Sequence, residues 1–328
     1  MQRIRQSVAA TLQVVFTDEL GVPSARPGGV TVGVTRANGD VVIAPGTAAA
    51  TAATGVFTKA LTALQTAQLD TLTATWRDVT GGVDFITTHR VVGGFMFTIA
   101  EARAYDDVLN DSAKLPNAVL AARRDEVEDE AEWICDRSFV PAYDRVTVDG
   151  DGTAMLHCGR HDLRRIRAIR LYSAGLDAGY VDLSAAQLSS IGLLPGGVIR
   201  RTDGGIFDFG VSNVIVDLEY GLNAPDNTMA VAAIQRLKSR CEMPNSGAVP
   251  ERSRSWTDPA NGTTYEFTGP DAYRTGVDRV DSVYARFSMR KRPLDESGTG
   301  GKDEVVPASR TMSYDPQWGS SLFRGGPK

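Results

Sequence analysis

The chain has 328 residues, of which 42% are hydrophobic and 23% charged, with a formal charge of −5. That length carries two ordinary domains, each able to bury a core of its own, and that composition excludes wholesale disorder and fibrous repeats. The mild acidic excess excludes a body coated in phosphate-binding cations, so general nucleic-acid binding is not expected.

Cys135, Cys158 and Cys241 are odd in number and scattered, which suits reduced thiols in a cytosolic protein better than a disulfide framework. The opening Met1 to Arg5 runs into an alternating segment without the apolar core of a signal peptide. No window approaches the roughly 20 apolar residues of a membrane span. A soluble protein with no membrane partner is expected.

Alternation of apolar residues at Val8, Ala10, Leu12, Val14 and Phe16 predicts a strand with one buried face. Val30, Val32 and Val34 repeat it, and Asn38-Gly39 supplies a positive-φ pair for a hairpin into Val41-Val42-Ile43. Further strands are predicted at Gly55 to Thr58, at Leu72, Ala74 and Trp76, around Phe85-Ile86 and from Val91 to Phe97. About seven short strands broken by Gly and Pro turns predict a β-sandwich over residues 1–98.

At Thr98 the period changes. Thr98-Ile99-Ala100-Glu101 has the form of a capping box, and Ala102, Tyr105 and Leu109 share a face of the helix it would open. A longer helix is predicted from about Pro116, with Leu120, Val127, Ala131 and Ile134 as its apolar stripe. Between about Arg145 and Tyr220 the period returns to two, and the stretch from Ala174 to Gly205 holds turn signals at Pro195-Gly196-Gly197 and Asp203-Gly204-Gly205. A third helix runs from an Asp226 cap to about Cys241, with Ala230, Ala233, Ile234 and Leu237 inward. A last one starts at the capping-box pattern Thr275-Gly276-Val277-Asp278, with Val277, Val280, Val283, Tyr284 and Phe287 inward. Residues 293–328 are rich in Gly, Ser and Pro, with isolated Tyr314, Trp318 and Phe323, too sparse for a core but suited to an arm that docks.

Three stretches carry a resemblance. Ala131 to Pro141 (AEWICDRSFVP) ends a helix in a polar turn followed by Arg, an aromatic and Pro. Val216 to Pro225 (VDLEYGLNAP) is a strand, a Tyr-Gly corner and a Pro ahead of a helix. Tyr273 to Asp281 (YRTGVDRVD) opens the last helix with Thr-Gly and Val-Asp. In this order, and with a β-insert after the second helix, they resemble the head-to-tail connector (adaptor) proteins of tailed bacteriophages over about Glu101 to Met289. The N-terminal β-region departs from the minimal family pattern and looks like an immunoglobulin-like addition.

The resemblance implies an α+β multidomain protein: an immunoglobulin-like β-sandwich (1–98), a small helical connector core of about four helices (99–292) with a β-rich insert at about 142–222, and a C-terminal docking arm (293–328). It also implies a structural virion protein, assembled in the host cytoplasm and located at the capsid vertex, that forms a homo-oligomeric ring, commonly of twelve subunits. Its partners would be the portal protein, a tail-side stopper or tail-completion protein, and genome DNA in transit. Tyr314, Trp318 and Phe323 would anchor the arm on the portal or on a neighbouring subunit. The alternatives are another tail-completion or minor tail protein and, from a different class, a cell-surface binding module.

Catalytic and cofactor chemistry has no signal. His157-Cys158-Gly159-Arg160-His161 lacks the second ligand pair a structural zinc site needs. Asp149-Gly150-Asp151-Gly152 lacks the later ligands of a calcium loop. No nucleophile elbow, metalloprotease helix or phosphate loop occurs, so no enzyme, metal or cofactor is expected. Arg160, Arg164, Arg165, Arg167 and Arg170 are read as a solvated strand face, with contact to DNA through Arg165 and Arg167 as the sharper alternative. Arg290, Lys291 and Arg292 suit the carbonyl end of the last helix, or an acidic portal surface. The charges from Arg123 to Glu132 are too many for one buried face and are expected on solvated helix surface; in a ring, Glu128 and Glu132 would line the lumen and repel DNA.

Overall fold

The computed structural model describes residues 1–82, 84–173, 179–242, 255–257, 264–266 and 275–290. It is a mixed α+β fold, with strands predominant and six helices among the described residues. Residues Met1–Arg290 form one compact unit.

The chain opens with eight strands: β1 (Gln2–Arg5), β2 (Ala10–Val15), β3 (Val30–Arg36), β4 (Val41–Thr47), β5 (Ala49–Ala50), β6 (Val56–Leu61), β7 (Asp70–Asp78) and β8 (Asp84–Val92). They make a five-stranded sheet in the order β1-β8-β7-β3-β4 and a three-stranded sheet in the order β2-β6-β5. Period-two alternation explains their packing, because every second side chain faces the same side. Val30, Val32 and Val34 from one strand and Leu72, Ala74 and Trp76 from its neighbour join Leu12, Val14 and Phe57 of the other sheet in one buried cluster.

Three details differ from the sequence expectation here. The hairpin after β3 uses one positive-φ residue, Gly39 at 94°, rather than an Asn38-Gly39 pair. Phe85 to Val92 is one continuous strand, and Phe97 lies beyond it in the helical core. The opening residues Gln2–Arg5 are themselves a strand, paired parallel to β8.

Helices α1 (Ile99–Tyr105), α2 (Asp107–Asn110) and α3 (Asn117–Cys135) follow. The Thr98–Glu101 capping box is present in both directions. The face expected to be continuous from Ala102 to Leu109 is broken at Asp106, whose extended backbone ends α1 and whose carboxylate caps α2.

A β-layer is inserted after α3. Strands β9 (Ala142–Gly150), β10 (Met155–His157), β11 (Leu163–Ser173) and β12 (Gly179–Asp182) come first, followed by helix α4 (Ala185–Ser189). Strands β13 (Ile191–Leu194), β14 (Val198–Arg201) and β15 (Gly210–Tyr220) complete it. A four-stranded sheet β12-β11-β15-β9 and a three-stranded sheet β10-β14-β13 share a second buried cluster around Ile169, Ile199, Phe207, Val216 and Leu218. Helix α4, opened by a Ser184–Gln187 capping box, is absent from the sequence expectation.

Helices α5 (Asn227–Glu242) and α6 (Asp278–Phe287) close the described chain, with a short hairpin of β16 (Ser255–Thr257) and β17 (Thr264–Glu266) between them. Ala102, Leu109, Leu120, Val127, Ala131, Ile134, Ala233, Leu237, Val280 and Tyr284 from α1, α2, α3, α5 and α6 form the third cluster. The start of α6 is capped differently from expectation. Asp281, not Asp278, closes the turn, accepting from the Thr275 amide and hydroxyl and from the Gly276 amide.

Among the described residues no helix is long and apolar enough to cross a membrane. Lys291, Arg292 and the arm residues Tyr314, Trp318 and Phe323 lie outside the described residues.

Candidate functional site

The three clusters meet along a seam of charge. Strand β1 lays Arg3 against the side of α3, where its guanidinium reaches Glu128 at 3.1 Å, Glu132 at 3.0 Å and Asp129 at 2.7 Å. Both Arg3 and Glu128 are fully buried at their side chains. The Arg3 amide donates to Asp125 and the Met96 amide to Glu128. From β8, Arg90 donates to Glu132 at 2.9 Å and to the Tyr220 hydroxyl at 3.0 Å.

The seam continues across the β-layer. Arg167 of β11 pairs with Glu219 of β15, approaches Asp70 of β7 and lies over the Tyr143 ring. Arg145 of β9 pairs with Asp217, and the Tyr143 hydroxyl donates to that same carboxylate at 2.8 Å. Charges from elements about 40 to 130 residues apart are therefore each other's counter-ions. Buried ions require this, because an unpaired one would cost several kcal/mol.

The electrostatics follow. Burial opposes the charge of Arg3, but Glu132, Glu128 and Asp129 outweigh it and raise its pKa. Burial alone would raise the Glu132 carboxyl, yet Arg3 and Arg90 hold it down to about 2. Glu128 goes the other way, raised by burial to about 7 against the pull of Arg3. On β8, burial pushes the His89 imidazole down to about 4.

On the open side of the seam lies a cleft of about 530 Å³, lined in part by Arg90, Glu132, Trp133, Tyr143, Arg160 and Tyr220. Its cations are engaged: Arg160 with Asp144, and Arg137 with Asp162 through two bonds of 2.6 and 3.0 Å. At the rim, Arg290 donates to the Trp133 carbonyl and stacks over that indole. Together with Met289 and Ser288, which reach the Cys135 and Ile134 carbonyls, it occupies the free carbonyls of α3. This serves the need of a helix C-terminus for donors and positive charge.

Several sequence expectations are corrected by this geometry. Glu128 and Glu132 are not on solvated helix surface or available to a lumen, since they hold Arg3 and Arg90 inside the fold. Arg124 and Asp125 are also buried. Arg167 is not on a solvated strand face but bound into the seam, whereas Arg165 is exposed. Arg290 caps the long helix α3 rather than its own helix.

Arg3, Arg90 and Arg145 were not singled out by sequence. The available signal was the Glu128, Asp129, Glu132 spacing, which places three acids along one side of a helix whose neighbouring stripe is apolar.

Burial raises the Cys135 and Cys158 thiols to about 12, so neither is a thiolate at neutral pH. Cys158 is buried in the β-layer core. Among the described residues no group of three His, Cys, Asp or Glu side chains is placed to hold a metal ion. The arrangement ties β1 and β8 to α3 through Arg3 and Arg90, and the inserted β-layer to β7 and β8 through Arg167 and the Tyr220 hydroxyl.

No protein-family model matches the chain, and a search of curated proteins finds no match.

Proposed function

We propose that the chain is a structural virion subunit, a head-to-tail adaptor that assembles as a ring between the portal and the tail-side stopper and lets genome DNA pass. One observation carries this reading: the three sequence stretches that resemble the connector family meet in space. Ala131, Ile134, Cys135 and Phe139 from the first stretch share a buried cluster with Val280 from the third, and Leu222 from the second packs against it.

The Tyr220-Gly221 corner is the joint. Gly221 has φ of 95°, and its amide donates to the Asp162 carbonyl while Leu222 donates to the Ser138 carbonyl. The β-layer is thereby returned to the helical core at the place where it left. In this reading the two N-terminal sheets are an immunoglobulin-like sandwich added to a connector core, and residues 293–328 are the arm that docks on the portal through Tyr314, Trp318 and Phe323.

A pull-down between the full chain and the portal protein of the same virion tests it. Binding that is lost on deletion of residues 293–328 is expected. Equal capture of the full and the shortened chain would overturn the arm's role, and no capture of either would overturn the adaptor reading.

A further inference from the structure

The three-stranded sheet β2-β6-β5 ends, at β2, on an edge that no other strand joins among the described residues. Strand β2 pairs with β6 from Ala10 opposite Leu61 to Val15 opposite Val56, with no break of register. One step further in the same register, the Phe16 amide donates to the Gly55 carbonyl. Backbone groups alternate in direction along an antiparallel strand. Leu12 and Val14 therefore turn theirs toward β6, as Phe16 turns its amide, while Thr11, Gln13 and Val15 turn theirs outward. Among the described residues no backbone hydrogen bond reaches those outward groups.

Open edges are ordinarily blunted by shortness, proline, bulges or charge, because unpaired amides and carbonyls are a template for another strand. The other edges of the two N-terminal sheets are blunted in this way. Strand β4 carries Pro45 and two shifts of register, β5 has two residues, and β1 has four and is engaged with α3 through Arg3. Strand β2 has six residues, with no proline, no bulge and no charged side chain. Its Leu12 and Val14 are buried, whereas Thr11, Gln13 and Val15 are exposed. Beside these three on the same face stand Ala60, Thr58 and Val56 of β6, so the surface next to the edge is uncharged as well.

The strand is complementary to itself. Antiparallel pairing opposes residues of the same side-chain face, and its hydrogen-bonded pairs join residues whose backbone groups point across the edge. Placing Gln13 on a twofold axis meets both conditions. Thr11 of each copy then lies opposite Val15 of the other, every outward backbone group of the three residues is used, and Leu12 lies opposite Val14 on the buried face. Thr against Val is a favourable β-branched pair, and no like charges meet. We propose that two copies of the chain pair antiparallel through β2, with Gln13 facing Gln13, so that their three-stranded sheets become one continuous sheet. Such a contact uses the same surface on both copies and closes at two. It goes beyond the ring reading, since ring neighbours meet through different surfaces, and it describes the chain on its own.

Sedimentation of the full chain over a concentration series tests it. Wild type is expected to pass from monomer to dimer. Gln13→Lys and Gln13→Glu, at an exposed position and checked for folding by circular dichroism, each set like charges against one another on the axis. Each is expected to weaken the dimer by about tenfold or more. An equimolar mixture of the two sets Lys against Glu and is expected to restore the dimer. Dimers that neither variant weakens, variants that mixing does not restore, or a wild type that stays monomeric up to about millimolar concentration would each overturn the pairing. Larger species formed equally by wild type and both variants would overturn it too and leave the ring reading standing, whereas virions without a ring would leave the pairing standing.

Discussion

Arg3 shows how far a single side chain reaches in this molecule. Its guanidinium meets three carboxylates of α3 with no exposure of its own, so its loss leaves Glu128 as a buried charge without its nearest partner. Arg3→Met is expected to cost about 3–5 kcal/mol in denaturant unfolding; a loss under about 1 kcal/mol would show that the seam contributes little. Glu132 gives the seam a pH signature. Its folded pKa near 2 lies below the ordinary 4.5, so its contribution is complete above 4.5 and is lost as pH falls toward 2. Glu132→Gln is expected to be less stable than wild type at pH 7 and to lose less stability between pH 4.5 and 2; parallel acid titrations of the two would contradict the assignment. None of this was legible in the sequence, because an arginine at position 3 is buried only by virtue of acids about 125 residues away. The abundance of charge on α3 suggests solvent exposure, whereas two neighbouring layers supply its counter-ions.

Elements defined by local chemistry were legible, and those defined by distant partners were not. Strand β7 declares itself through Leu72, Ala74 and Trp76 on every second position, all fully buried, and α1 through a capping box confined to four residues. The cap of α6 escaped because Thr275 closes with Asp281 rather than with the third residue along. Helix α4 escaped because its five residues lie in a Gly- and Ser-rich stretch with no buried side chain to set a period. The corner after β15 is sensitive to a single change. At Gly221, φ of 95° and a backbone carbonyl of Val140 in the place of a Cβ both oppose a side chain. Gly221→Ala is expected to cost about 1–3 kcal/mol in backbone strain, and more from the contact, read as a lowered melting temperature. An unchanged melting temperature would show that the corner relaxes freely. At the C-terminus of α3, Arg290→Ala is expected to cost about 0.3–1 kcal/mol at low salt, shrinking as salt rises; a loss independent of salt would point to packing on Trp133 instead.

At the scale of the whole molecule there are three buried clusters, one beneath the N-terminal sheets, one among the helices and one within the inserted β-layer, and ion pairs from β1 and β8 tie the first to α3. The mixed α+β class was readable from the change of period at Thr98 and its return near Arg145. The joining of the layers was not, since it depends on which strands lie beside α3. The central claim concerns assembly, and electron microscopy of intact virions containing the full chain addresses it most directly. The account predicts a closed ring of this subunit at the capsid vertex between portal and tail. Density elsewhere in the tail, or its absence from the particle, would contradict it.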